Sequence, residues 1–278
     1  MSESLTCTVA PGPRTRLAVE VWGEAGPPVV ALHPGVGDRR IWRWCAPAWA
    51  AWGCRVIAYD RRGFGGTAYT AEPHDDLDDL LAVTAATGAR PAVVVGNSRG
   101  GGLALDLALD HADHVSGLVL IAPSVTGYDQ GDWPTSPGEE DLDRRIERAE
   151  EDGDRDEVNR LEVHYWLDGP DQMEGRVDGE ARDLMADMNG RALAAPETGP
   201  VRDRPPAWPR LGALAVPTLV VVGQHDLPGI HRQCADLVAA TPRARLVTVH
   251  DTAHCPMLDD PGTLNLLVLD FVQSLVPA

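Results

Sequence analysis

Residues 93–102 read VVVGNSRGGG. An apolar run passes straight into glycine, and one hydroxyl, that of Ser98, stands among Gly96, Gly100, Gly101 and Gly102. Three readings compete: an ordinary strand-to-helix turn, a phosphate-cradling loop, and a turn that carries a nucleophile. A phosphate loop needs a lysine after its glycines, and this chain contains no lysine. The dinucleotide spacing G-x-G-x-x-G is absent as well. What remains is G-x-S-x-G, from Gly96 to Gly100, in which the serine occupies a strained turn between a strand and a helix. Small residues two before and two after it let that turn tighten. A five-residue match often arises by chance, so the flanking elements have to decide it.

Working outward, AVVVGN (92–97) reads as a strand, and Arg99–His111 carries Leu103, Leu107 and His111 at helical spacing. PVVALH (28–33), RVIAYD (55–60) and GLVLIAP (117–123) are further near-continuous apolar runs, the pattern of parallel strands buried on both faces. A helical pattern spans Pro73–Thr87. RLAVEVWGE (16–24) reads as an antiparallel strand at the sheet's edge. After residue 210 the alternation returns, with TLVVVG (218–223), a helix near 229–240, ARLVTVH (244–250) and a final helix over about 262–275. Strands and helices in this rhythm predict an α/β fold with a mostly parallel central sheet flanked by helices.

The middle of the chain has a different texture. Ser136-Pro137-Gly138-Glu139 is a capping box with proline at the first helical position, and Leu142, Ile146 and Ala149 follow. Asp154–Glu157 repeats the start signal, with Val158, Leu161 and Tyr165 behind it, and a third helix is expected over about 177–193. The Pro-rich ETGPVRDRPPAWPR leads back to the sheet. The expected organisation is an α/β core of 1–124 and 211–278 with a helical acidic cap of 125–210, inserted after the fourth buried strand. An insertion there lies over the carboxyl ends of the strands, where open α/β sheets bind ligands, and is a candidate lid.

Charge narrows the partners. The 278 residues hold 42 acidic and 24 basic side chains, a net of −18. From Asp129 to Asp187 there are 21 Asp/Glu against 7 Arg, so this stretch alone carries −14. Such a field repels phosphate backbones and anionic membranes, and neither nucleic acid nor membrane is expected as a partner. The plainest reading of the acids is a solvated surface that aids solubility. The opening MSESLTCTVA shows no secretory pattern, and the five cysteines show no C-x-x-C spacing. A cytoplasmic location with neither disulfide framework nor structural metal is expected. Oligomeric state is not legible.

A serine nucleophile needs a base, and the base an orienting acid. His254 follows the last strand after a short loop, and Asp226 follows the strand at 218–223. The order Ser98, Asp226, His254 is the one this architecture uses. His225 and His250 are rival bases and Asp251 a rival acid. A metal site from His225, Asp226 and His231 has poor spacing.

Four motifs give the chain a resemblance to the α/β-hydrolase fold superfamily over essentially its full length: LHPGVG, YDRRGFGGT, GNSRGG and AHCPMLDDP. The second, D-x-R-G-x-G-x-[ST], is widespread in the lidded, ester-cleaving branch. The resemblance implies Ser98 as nucleophile, His254 as general base and acid, and Asp226 as the holder of its tautomer. It implies an oxyanion hole of backbone N–H groups from Gly35 and Arg99, although Pro34 stands where glycine is usual. Serine at the turn disfavours dehalogenase and epoxide-hydrolase chemistry, whose members of the superfamily use aspartate there.

The expected activity is serine hydrolysis of a small carboxylic ester or lactone through an acyl-enzyme, without a cofactor. Alternatives are a carbon–carbon bond hydrolase or thioesterase on the same residues, or a ligand-sensing protein on the same fold. Few aromatics and an acidic lid suggest a neutral, modest-sized substrate. Asp38, Trp42, Trp133, Tyr165 and Trp166 are candidate pocket residues, with Met173 beside them on the lid's underside. Arg99 offers its guanidinium either to a substrate carboxylate or to an acidic neighbour.

Overall fold

In the computed structural model of the chain, which describes residues 4–131 and 133–275, the strand-like runs assemble into one sheet. Its members are β1 (Ser4–Gly12), β2 (Thr15–Trp22), β3 (Pro28–Leu32), β4 (Arg55–Tyr59), β5 (Ala92–Asn97), β6 (Val115–Ile121), β7 (Thr218–Gly223) and β8 (Ala244–Val249). They lie in the order β1-β2-β4-β3-β5-β6-β7-β8. β1 pairs antiparallel with β2 and β2 with β4, and from β4 to β8 every neighbour is parallel. The α/β class with a mostly parallel sheet holds.

The near-continuous apolar runs have a simple cause: successive side chains point to opposite faces, and both faces are covered. Val30, Leu32, Val94, Leu118 and Val220 join one core, against Leu80 of α2 (Asp76–Thr87), Leu107 of α3 (Arg99–Asp110) and Leu237 of α7 (Pro228–Ala240). Their neighbours Val29, Ala31, Val93, Val119 and Leu219 join the other, against Trp49 of α1 (Ala46–Ala51) and Leu264 and Val268 of α9 (Pro261–Ser274). Helix starts and stops are local. The Asp75 carboxylate accepts from the Leu77 N–H at 2.9 Å to open α2, and Gly88, at φ 64°, closes it.

Between β6 and β7 lie α4 (Pro137–Glu151), α5 (Arg155–Val163) and α6 (Gly179–Leu193). The capping box forms: the Glu139 N–H donates to Ser136 Oγ at 3.2 Å, and the Glu139 side chain accepts from the Ser136 N–H. Asp154 caps α5 through the Glu157 N–H at 3.1 Å. A π-helical turn, His164–Asp168, follows α5, and a short α8 (Pro256–Asp259) precedes α9.

Two expectations change. The stretch read as the edge strand is β2, paired on both sides, and the edge is β1. Ser4–Gly12 alternates Leu5, Cys7 and Val9 with threonines as a strand does, although only Val9 is buried. The helix expected from Pro73 begins at Asp76, because the Asp75 cap sets its start. No helix among the described residues is long and apolar enough to cross a membrane.

Candidate active site

The quoted turn sits where β5 ends and α3 begins. Ser98 adopts φ 52° and ψ −117°, a left-handed backbone that a non-glycine residue occupies at a cost of about 1–3 kcal/mol. The surroundings hold it there. Its N–H donates to the Ile121 carbonyl at 2.9 Å, and its own carbonyl accepts from the N–H groups of Ser124 (2.9 Å) and Gly102 (3.0 Å). The flanking glycines are required by contact. A Cβ on Gly96 would lie 2.4 Å from the Gly100 carbonyl oxygen, and one on Gly100 would lie 2.4 Å from the Leu32 carbonyl oxygen at the end of β3. The turn is therefore as tight as backbone packing allows.

The other sequence-derived residues stand at neighbouring strand ends, Gly35 beyond β3, Asp226 beyond β7 and His254 beyond β8. The His254 Nδ1 lies 2.9 Å from Asp226 Oδ2 and 3.2 Å from Oδ1, and both side chains are almost fully buried. An acidic partner on Nδ1 leaves Nε2 as the basic nitrogen. His254 and Ser98 line one cavity of about 300 Å³. The rival base His225 pairs instead with the rival acid Asp251 at 3.1 Å near the surface. His250 is exposed. Among the described residues no group of three or more His, Cys, Asp or Glu could hold a metal ion.

Trp133, Tyr165 and Trp166 join Ser98 and His254 around that cavity. The Trp166 ring lies 4.6 Å from the His254 ring, and the Tyr165 ring 4.6 Å from Trp166. The remaining candidates go elsewhere. The Asp38 carboxylate caps the 3₁₀ turn Arg39–Trp42 and forks onto the Arg40 guanidinium at 2.6–3.1 Å. Trp42 is fully buried against Trp49, with ring centroids 5.8 Å apart. Both face inward from the loop after β3, so neither lines the cavity. Met173 is 83% exposed and forms no underside.

The loop after β3 is anchored despite its proline. His33 is fully buried, and burial together with the Arg61 charge holds its imidazole well below the usual histidine value, in the neutral form. Its Nε2 accepts from the Arg61 N–H at 3.1 Å, so Nδ1 carries the proton and donates to the Pro34 carbonyl at 2.7 Å. Arg61 Nη2 donates to the same carbonyl at 3.0 Å. Arg99 leans across this loop, where a Cβ on Gly35 would meet its Cδ at 2.9 Å. Among the described residues, no acceptor takes the N–H of Gly35 or of Arg99.

Several residues of the site carry no motif. Asn97, one before the serine, donates through Nδ2 to the Ile121 carbonyl (3.0 Å) and to the His254 carbonyl (3.1 Å), tying the turn to the histidine loop. Gln233 and the buried Glu139 line the cavity, and burial raises the Glu139 carboxyl above the usual glutamate value. The Arg176 guanidinium braces the histidine loop through the Asp251 carbonyl (2.8 Å) and the Asp259 carboxylate. Only Asn97 had a signal in the sequence, its place beside the serine.

Comparison with known proteins agrees with this fold. Residues 27–261 match a family model described as alpha/beta hydrolase fold. A non-heme haloperoxidase of Rhodococcus erythropolis is 29% identical over 239 residues, 80% of this chain and 83% of the relative. A 2-hydroxymuconate semialdehyde hydrolase of a Pseudomonas strain is 29% identical over 266 residues, 90% and 88% of the two chains. Among solved structures, an enzyme described as degrading N-acyl homoserine lactones superposes with a TM-score of 0.73 at 25% identity, covering 95% of this chain and all of the other.

Proposed function

The chain belongs to the alpha/beta hydrolase fold family, and from that premise we propose that it is a serine hydrolase cleaving a small carboxylic ester or lactone. The observation that carries this reading is the buried His254–Asp226 pair at 2.9 Å, opening on the same cavity as a serine held at φ 52°. In the proposed cycle the Ser98 hydroxyl adds to the substrate carbonyl while His254 Nε2 takes its proton. Asp226 keeps the imidazole oriented and stabilises the imidazolium. The N–H groups of Gly35 and Arg99 receive the oxyanion, a donor pair of which each member is worth about 3–4 kcal/mol at the transition state. His254 returns the proton to the leaving alcohol. A water then repeats the sequence and releases the acid. The helices between β6 and β7 act as the lid, with Trp133, Tyr165 and Trp166 forming the apolar wall beside the acyl group.

The likeness to a lactone-degrading enzyme supports the ester and lactone class. The 29% identity to a semialdehyde hydrolase favours a second reading, carbon–carbon bond hydrolysis on the same residues. Short p-nitrophenyl esters, lactones and a vinylogous 1,5-diketone separate the two. Wild type should turn over an ester or lactone and label covalently with a fluorophosphonate, and Ser98→Ala should do neither. A wild-type protein that neither labels nor hydrolyses any of these compounds refutes the enzyme reading.

A further inference from the structure

Arg61 is an anomaly in so acidic a chain. It is 94% buried by its 6% exposure, yet among the described residues no carboxylate lies within 4 Å of its guanidinium and its Nε has no hydrogen-bond partner. Its neighbour Arg62, equally buried, shows the ordinary solution, a fork onto Asp79 at 2.8 and 3.1 Å. Arg61 uses Nη2 on the His33 and Pro34 carbonyls and stacks over Phe64 at 4.9 Å. A buried charge with no directly paired carboxylate costs several kcal/mol of desolvation, which carbonyl hydrogen bonds and the field of Asp76 offset only in part.

A second guanidinium stands beside it. Arg99 forms no ion pair among the described residues, and its stem lies on Gly35. Arg61 and Arg99 line a common cavity of about 350 Å³ whose wall includes Ser124. Ser124 also lines the cavity of Ser98 and His254, so that residue stands between the two spaces. Aspartates share the arginine cavity: Asp75 pairs with Arg204 at 2.7 Å while capping α2, and Asp76, 3.7 Å from His74, attracts the Arg61 charge without closing to an ion pair. Asp106, whose carboxyl burial raises to about 6, stands on the same wall. Asp203 completes the acids on this wall.

We propose that Arg61 and Arg99 form an anion subsite that receives a second, free carboxylate of the substrate. The preferred substrates are then half-esters of small dicarboxylic acids, or lactones carrying a carboxylate some bonds from the scissile carbonyl. This rests on the serine-hydrolase reading and narrows it. It also reverses, locally, the neutral substrate expected from the chain's charge. Screening over about 8 Å mutes the distant acids of the lid, while a carboxylate against two guanidinia feels them at hydrogen-bond range.

The test is the ratio of kcat/KM for the monomethyl over the dimethyl esters of succinate, glutarate and adipate. Wild type should prefer the half-ester of at least one chain length by roughly 10- to 100-fold, the effect of one or two charge-assisted bonds. Arg99→Gln, at an exposed side chain, and Arg61→Gln should each bring that ratio towards one. A ratio at or below one in wild type, or a ratio unchanged in Arg99→Gln, overturns the subsite while leaving the hydrolase reading intact. If neither ester class is hydrolysed, the hydrolase reading stands or falls on the fluorophosphonate, p-nitrophenyl ester and lactone assays, and calorimetric titration with glutarate and adipate judges the subsite alone. Binding that weakens at least about tenfold in Arg99→Gln supports it, and absent binding overturns it.

Discussion

Replacing Gly100 by alanine is the sharpest probe of the turn that holds Ser98. The added methyl would stand 2.4 Å from the Leu32 carbonyl oxygen and 2.7 Å from that of His33. Both are backbone atoms at the end of a central strand, whose register is fixed by β4 on one side and β5 on the other. Neither can swing aside as a side chain would, so α3 has to move away from β3. Overpacking of this kind costs about 1–3 kcal/mol. At about 2–3 °C per kcal/mol for a chain of this size, the melting temperature should fall by roughly 2–9 °C. The shift also pulls on Ser98, whose carbonyl accepts from Gly102 of α3 while its N–H is tied to Ile121 of β6. A movement on the order of 1 Å at a reacting group costs about 100-fold in rate. Gly212→Ala is the matched control, because a Cβ there meets nothing within 4 Å. Thermal melts followed by circular dichroism, with p-nitrophenyl acetate hydrolysis on the same samples, give both numbers. If Gly100→Ala melts within 1 °C of the control and turns over at a similar rate, the claim that backbone contact demands glycine here is wrong.

Other perturbations follow from the same contacts. Asp226→Asn should leave the fold intact and lower kcat by on the order of 10³–10⁴ with little change in KM, because the His254 tautomer is no longer set; a loss confined to KM would contradict the orienting role. Trp166→Ala removes the ring 4.6 Å from His254 and should lower kcat/KM by about tenfold while fluorophosphonate labelling persists. Burial raises the Asp106 carboxyl from the ordinary aspartate value to about 6. The folded chain therefore holds this proton more tightly than the unfolded one, so the group's contribution is full below about pH 4 and is lost as pH rises to about 6. Asp106→Asn should melt higher than wild type at pH 7–8 and level with it at pH 4, and an equal gain at both would exclude the titration. Of the five cysteines, four are buried, and burial pushes the Cys45, Cys234 and Cys255 thiols far up. Ellman's reagent should find one fast thiol, Cys7, in the native protein and five in denaturant.

What the sequence made legible follows from the range of the interactions involved. The turn at Ser98 was readable because everything that makes it lies within a few residues: an apolar strand, two spaced glycines and a helical pattern. The positions of Asp226 and His254 were readable because a parallel sheet puts every loop after a strand on the same edge. Pocket membership was readable only in part: Trp133, Tyr165 and Trp166 line the cavity, while two other candidates do not, because their place depends on partners far along the chain. Asp38 looked free in GVGDRR, yet its carboxylate is consumed by Arg40, which in turn reaches Asp187 at 2.8 Å, 147 residues away. Trp42 looked like lining and is core, because the 3₁₀ turn that Asp38 caps directs it towards Trp49. β1 was legible in principle: Leu5, Cys7 and Val9 alternate with Thr6 and Thr8, although only Val9 is buried. Arg61 hid inside a family motif. In DRRGFG the second arginine, Arg62, is the one the pattern specifies, and it is satisfied by Asp79 in the usual way. The first matches only the motif's variable position, and its lack of a carboxylate partner becomes visible only when every neighbouring side chain is in place. A site that is unsaturated by design leaves no mark in the sequence beyond an ordinary arginine.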